Sequence, residues 1–259
     1  MTIASANRGY LSPAPHRMFA HRGFAGAPGL IENTIPAFEA ALALGATHIE
    51  SDIQVTKDGV PVLFHDVDLL RVAALPLKIN QISSLELDAI DLGGGARIPT
   101  LRQALQSLPG ARFNLDLKVG GAVAPTVNLI EELGVQDRVL LASFSDSRRA
   151  KAVKLLDGSV LSSAGGIRVL ALWLAVKLRL RRLTKMLARS VQALQIPTHQ
   201  GPIRLDSPAF IREISSTGLE LHYWTINEPS EMLRLIGLGA HGVVTDRTDL
   251  AVKTLGKVS

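Results

Sequence analysis

The chain of 259 residues contains no cysteine. Disulfides, thiolate metal sites and cysteine nucleophiles are therefore excluded. Aromatic residues make up only 4% of the chain against a hydrophobic share of 47%, so aliphatic side chains must build the core. Long apolar runs are missing as well. The longest uncharged one, residues 169–176, falls far short of the roughly 20 residues needed to span a bilayer. The first twenty residues have no apolar signal region and are interrupted by Pro13 and Pro15. No secretory signal is read there, and a soluble, cytoplasmic protein is expected. Acidic residues are absent between Asp157 and Asp206, where eight basic ones stand, from Arg168 to Arg204. Elsewhere twenty basic residues face the 23 acidic ones, a net −3 within the overall +5.

What is present is a regular alternation. β-rich apolar runs fall near 17–20, 47–53, 112–118, 138–143, 159–163, 191–196, 219–226 and 242–245. Helical patterns fall near 34–44, 122–133, 145–155, 167–188, 207–216 and 229–238. Eight strands with helical connectors predict an α/β fold, a (β/α)8 TIM barrel, in a single domain over residues 1–259. A doubly wound open sheet is the alternative. Residues 54–110 are too long for one βα unit and read as an insertion after the second strand. In it Lys57-Asp58-Gly59-Val60 reads as a hairpin turn, 61–64 as the return strand, and 85–92 and 100–108 as short helices. This insertion is expected to cap the mouth of the barrel.

Side chains alternate along a strand. In the second strand His48, Glu50 and Asp52 share one face, and in the third Asn114, Asp116 and Lys118 do. Barrel strands turn their apolar faces to the helices, so these polar faces point to the axis. Glu50, Asp52, Asp116 and Lys118 sit at C-terminal strand ends, where barrel active sites are built. Three inward carboxylates repel unless something neutralises them. Oxygen ligands suit Mg²⁺, Ca²⁺ or Mn²⁺, with Lys118 left to face an anionic substrate. A buried salt-bridge network of Lys118 with Asp116 or Asp52 is the purely structural alternative. His21 and Arg22 close the first strand, and His65 closes the return strand of the hairpin. Phosphodiester cleavage needs a base, an acid and an anion clamp, which two imidazoles and a guanidinium can supply. Of the other histidines, His48 is expected to point inward but deeper in the barrel, His222 to be packed, His16 and His241 to be structural or solvent-exposed, and His199 is placed on a loop that could face the site.

The run FAHRG, ENTIPAFEAALALGATHIESDIQVTKDGVPVLFHD, followed downstream by Asn114-Leu115-Asp116-Leu117-Lys118, Tyr223-Trp224-Thr225-Ile226-Asn227 and Gly242-Val243-Val244-Thr245-Asp246-Arg247, resembles the glycerophosphodiester phosphodiesterase family over residues 18–250. The resemblance implies a TIM barrel and divalent-metal-dependent hydrolysis of glycerophosphodiesters to sn-glycerol 3-phosphate and an alcohol. By position it makes His21 and His65 the acid/base pair and Arg22 and Lys118 phosphate ligands. It makes Glu50, Asp52 and Asp116 the metal ligands, Glu32 a supporting residue and Trp224 a wall for the glycerol or the leaving group. Three departures are visible. Asp116 stands where the family commonly has Glu, Ile31 replaces a proline before Glu32, and residues 67–80 lack the family's Arg-Thr-Thr-x-Gly stretch.

Other readings compete for parts of the chain. Residues 167–189 combine an apolar run with basic residues, a pattern that can dock on an anionic membrane surface. The enzyme would then be a lysophospholipase D acting through the same site, peripheral to the inner membrane face. An ordinary outer barrel helix is the simpler reading of that segment. A barrel that binds phosphate or metal without turnover is a third reading, against which stands the full set of acid/base and carboxylate groups. A nucleic-acid role would rest on the basic block alone, without an aromatic platform, and no such partner is expected. Leaving group, metal identity and oligomeric state are not legible in the sequence.

Overall fold

The computed structural model describes residues 9–11 and 15–256. Eight parallel strands form the expected ring. They are β1 (Arg17–His21), β2 (His48–Val55), β4 (Phe113–Leu117), β5 (Val139–Ala142), β6 (Leu161–Ser162), β7 (Ala193–Ile196), β10 (Glu220–Tyr223) and β11 (Gly242–Thr245). Their order is β6-β5-β4-β2-β1-β11-β10-β7. A parallel bridge between Ser163 and Ala193 joins the two ends of this order. Three strands lie outside the ring. β3 (Pro61–Leu63) pairs antiparallel with β2, and β8 (His199–Gln200) pairs with β9 (Ile203–Arg204) as a small hairpin. The open-sheet alternative is thereby set aside, because β1 has parallel partners on both sides and the order runs on to β7 and back to β6.

Local sequence explains the helices. Thr34 caps Ile35–Leu44, its hydroxyl accepting from the Ala37 N–H, and Gly45 ends that helix in the left-handed region at φ 108°. Ser145 and Ser207 cap Asp146–Leu155 and Pro208–Ser215 in the same way. The basic segment departs from expectation. It forms two helices, Gly166–Lys177 and Arg181–Ala188, rather than one. Arg179 enters the left-handed region at φ 56°, and the Leu180 N–H folds back onto the Ala175 carbonyl at 2.8 Å. A further helix, Thr248–Leu255, went unread in the sequence. Its buried face is Thr248, Ala251 and Leu255, a weak apolar signal over two turns.

Two large apolar layers lie between ring and helices, one around Ile49, Phe113 and Leu115, the other around Leu194, Leu221 and Val243. The helix Leu101–Ser107 belongs to the first layer, so it is the helix that follows β2 after the insertion. The insertion folds over its own small cluster, which includes Val62, Phe64, Leu69 and Ile79. Gly59 supplies the positive φ of its hairpin turn, at 83°. Of its residues, His65 is the one that lines the central cavity. The insertion therefore forms one side of the mouth rather than the expected cap.

Inside the ring, at the end opposite the mouth, aromatic rings replace the usual aliphatic layers. His48 lies 4.6 Å from both Tyr10 and Phe19, and Phe19 lies 4.6 Å from His222. His48 donates from Nε2 to the Tyr10 carbonyl at 2.9 Å, and its Nδ1 meets the Thr47 hydroxyl at 2.8 Å. Burial above all pulls the His48 pKa down to about 3, and the nearby charges of Arg112 and Arg17 act in the same direction. The folded chain thus keeps this ring neutral where the unfolded chain protonates it, near pH 6.5. Stability is then complete above pH 6.5 and falls as pH drops toward 3. At pH 5 the loss from this one group is about 2 kcal/mol. Urea unfolding at pH 7 and pH 5 should show that much less pH dependence in His48→Gln than in the parent. Equal pH dependence in the two proteins would remove His48 as its source.

Candidate active site

The site is assembled at the C-terminal ends of the strands, around a cavity of about 540 Å³. β1 ends at His21, and the chain then turns sharply. Arg22 and Gly23 both lie at positive φ, 56° and 81°. A side chain at Gly23 would meet the Ala37 backbone carbon at 2.8 Å, so glycine is needed there. The turn aims the Arg22 N–H at the Glu50 carbonyl, 2.9 Å away, and brings the guanidinium over the strand ends. Arg22 Nη1 donates to Glu32 at 3.1 Å, and its Nε lies 3.4 Å from Asp52. Asn33, at φ 58°, donates to Asp52 at 3.3 Å and accepts from the Ser51 hydroxyl at 2.6 Å.

Each of the two predicted imidazoles is oriented by a carboxylate on Nδ1. His21 Nδ1 meets Asp246 at 2.6 Å, and His65 Nδ1 meets Asp66 at 2.7 Å. Asp246 is held in turn by the Asn227 amide at 2.9 Å. Asp66 is held by Arg71, whose guanidinium also takes both oxygens of Glu32. With Nδ1 engaged, Nε2 of each ring is the atom left for proton transfer. Burial lowers the His21 pKa, but the Asp246 hydrogen bond and the Glu50 charge outweigh it, so the ring stands above its ordinary value.

The carboxylates meet as the register requires, with Asp52 beside Asp116 and Glu50 beside Asn114. Lys118 Nζ lies 2.8 Å from both Asp52 and Asp116, so the ion-pair network anticipated as the structural alternative is present. It accounts for only part of the cluster. Glu50 is pushed up to about 8, first by burial and then by the Asp52 charge. Asp116 is raised mainly by burial, against the pull of Lys118. The Oδ1 atoms of Asp116 and of Asn114 are buried without a hydrogen-bond partner. Among the described residues, no three His, Asp or Glu side chains stand together as a ready metal cage. The donors themselves suit a hard cation: hard oxygens, an unpartnered carboxylate oxygen, and a Glu charge that its neighbours disfavour.

The opposite side of the cavity is apolar, formed by Phe144, Val169, Leu170, Trp173, Ile203 and Trp224. Trp224 meets Phe144 edge-on at 6.0 Å. Every predicted site residue except Glu32 lines the cavity, and Glu32 stands behind Arg22. His48 and His222 are buried beneath it, and His199 lies exposed on the β8–β9 hairpin, away from the lining. Asp246, Asn227 and Arg71 were missed as site residues. Asp246 follows the last strand just as the expected catalytic groups follow theirs, and that position was the available signal. Arg71 lies in the very stretch read as departing from the family.

Residues 21–250 match the family described as the glycerophosphoryl diester phosphodiesterase family. The chain belongs to that family. A probable glycerophosphodiester phosphodiesterase 2 of Mycobacterium tuberculosis is 38% identical over 231 residues, 89% of this chain and 87% of that protein. The rat lysophospholipase D GDPD1 is 26% identical over 267 residues, 89% of this chain and 83% of its own length. Among solved structures, an Oleispira antarctica phosphodiesterase in complex with the product sn-glycerol-3-phosphate is 26% identical. It superposes with a TM-score of 0.77, covering 95% of this chain and 99% of that one. The predicted barrel and the expected enzyme class, glycerophosphodiester phosphodiesterase, both hold for a member of this family.

Proposed function

We propose that this enzyme hydrolyses glycerophosphodiesters to sn-glycerol 3-phosphate and an alcohol, with His21 and His65 exchanging the protons. The observation that carries this reading is the pair of imidazoles, each held through Nδ1 by a carboxylate, on the rim of a cavity that also holds Arg22 and Lys118. One imidazole removes the proton of the attacking hydroxyl, from water or from the neighbouring glycerol hydroxyl. The other gives a proton to the oxygen that leaves phosphorus as the P–O bond breaks. Arg22 is a planar donor fork suited to two phosphoryl oxygens, and Lys118 is a point charge beside it. Glu32 fixes the Arg22 fork from behind, and Trp224 gives an apolar face to the glycerol or the leaving group.

Glu50, Asp52 and Asp116 are the residues that would hold a divalent cation, Mg²⁺, Ca²⁺ or Mn²⁺. Bound there, the cation would offset the charge that builds on the phosphoryl oxygens. The shorter Asp116, against a longer Glu, leaves more room for the ion's own water.

The test is release of glycerol 3-phosphate from glycerophosphocholine, glycerophosphoethanolamine and glycerophosphoinositol, each with Mg²⁺, Ca²⁺, Mn²⁺ or EDTA. Release from at least one substrate in the presence of a cation is expected, and its rate ranks the leaving groups. No release from any substrate under any cation would overturn the reading.

A further inference from the structure

The basic segment carries a surface that the hydrolytic reading does not use. The helix Gly166–Lys177 has two apolar sides. Leu172 and Ala175 are buried against the barrel. Ile167, Leu170 and Leu174, spaced by three and four residues along the other side, are exposed, Ile167 by 79%. Leu178 and Leu180 continue this stripe through the break, and Leu183 and Met186 carry it onto the helix Arg181–Ala188. Arg182, Lys185 and Arg189 follow the same helical spacing on the neighbouring side of that second helix, all exposed.

These cations are unpaired. Arg181 lies 3.7 Å from Glu213 and Arg204 is bound to Asp206, whereas no acidic partner is found for Arg179, Arg182, Lys185 or Arg189 among the described residues. An extended exposed apolar stripe bordered by basic residues marks an interaction surface. It is also the pattern of helices that lie in the headgroup layer of an anionic bilayer. The surface is continuous with the site, because Leu170 and Phe144 are both exposed and both line the cavity. The apolar wall of the cavity thus opens directly onto the stripe.

We infer that residues 166–189 dock this protein on an anionic lipid surface, with the helix pair in the headgroup layer and the cavity mouth facing the interface. An extended aliphatic stripe beside unpaired cations favours lipid over a nucleic acid, which would call for exposed stacking rings. The one aromatic ring in the helix pair, Trp173, is already covered by Lys177 at 4.8 Å. The docking itself is independent of the hydrolytic reading. That the enzyme draws its diester from the interface rests on it.

The test is co-sedimentation of the full chain with phosphatidylglycerol vesicles and with phosphatidylcholine vesicles, at low and at high salt. Binding to the anionic vesicles that weakens with salt is expected. The triple variant Arg182→Ala/Lys185→Ala/Arg189→Ala should bind them about 100-fold more weakly, since each juxtamembrane cation contributes roughly fivefold. Ile167→Ser/Leu174→Ser should weaken binding at both salt levels. Neither variant touches the catalytic groups, so the circular dichroism spectrum and the turnover of water-soluble diesters, where present, should stay at the parent level. Absence of sedimentation with phosphatidylglycerol at low salt would overturn the inference, as would binding indifferent to both variants. A dimer in solution that Ile167→Ser/Leu174→Ser dissociates would also overturn it, by assigning the stripe to a second copy. Because sedimentation does not require turnover, an inactive protein that binds vesicles would refute the hydrolytic reading and leave the docking intact.

Discussion

Replacing His21 by alanine is expected to lower kcat for glycerol 3-phosphate release by about 10³-fold or more. A positioned proton-transfer group commonly contributes 10²–10⁴-fold, and the His21 ring is placed by a short bond to Asp246 at 2.6 Å. His65→Ala should lose activity on the same scale, since His65 is held by Asp66 at 2.7 Å in the same manner. The double variant should be little worse than either single one, because removing one half of a proton relay already disables the unit. Asp246→Asn is a finer probe. The amide can keep a hydrogen bond to Nδ1 while favouring the wrong tautomer, so kcat should fall while KM changes little. The backbone should survive all four changes, for His21 and His65 stand at the mouth and not in an apolar layer. A His21→Ala enzyme within tenfold of the parent would exclude it from proton transfer.

Chelation should have the second large effect. Stripping divalent cations with EDTA is expected to reduce turnover by about 10²-fold or more, with recovery on adding back Mg²⁺, Ca²⁺ or Mn²⁺. The same addition should raise the thermal midpoint. Glu50 is pushed up to about 8 by burial and by the neighbouring Asp52. A dication among these oxygens relieves that repulsion, so it binds the folded chain and not the unfolded one. At a hundredfold excess over Kd the gain is about 2.7 kcal/mol, or roughly 5–10 °C for a chain of this size. Glu50→Gln removes, at nearly constant shape, a carboxyl whose ionisation the site disfavours until a cation is bound. It should be more stable than the parent without metal and should lose most of the metal-induced rise. Turnover and thermal midpoint both indifferent to EDTA and to added cations would refute the metal assignment to Glu50, Asp52 and Asp116.

Much of this was legible in the chain. The alternation of His48, Glu50 and Asp52 along one strand and of Asn114, Asp116 and Lys118 along another predicts an inward polar face. The pairing of β2 with β4 then brings Asp52 beside Asp116. That argument works because the period of a strand is set by covalent geometry and does not depend on its neighbours. Helix ends were legible for a similar reason, since Thr34, Ser145 and Ser207 satisfy the first-turn N–H groups locally. The break at Arg179 was not, because nothing near it in the sequence is a strong helix stop. A non-glycine residue at φ 56° is costly by itself and persists where the surrounding fold holds it.

By itself, then, the sequence determined the barrel and which polar side chains stand at its strand ends, the two proposed imidazoles among them. Each of these follows from local periodicity or from residues close along the chain. Tertiary structure alone decided who holds whom. Asp246 meets His21 across 225 positions, and Arg71 meets Glu32 across 39. Closure of the ring is what places β11 beside β1 and so delivers that carboxylate. Only the folded chain, too, could show that the basic segment keeps one apolar side for the barrel and turns a second one outward. Both sides share the same helical spacing, and burial is a property of what surrounds a residue, not of the residue itself.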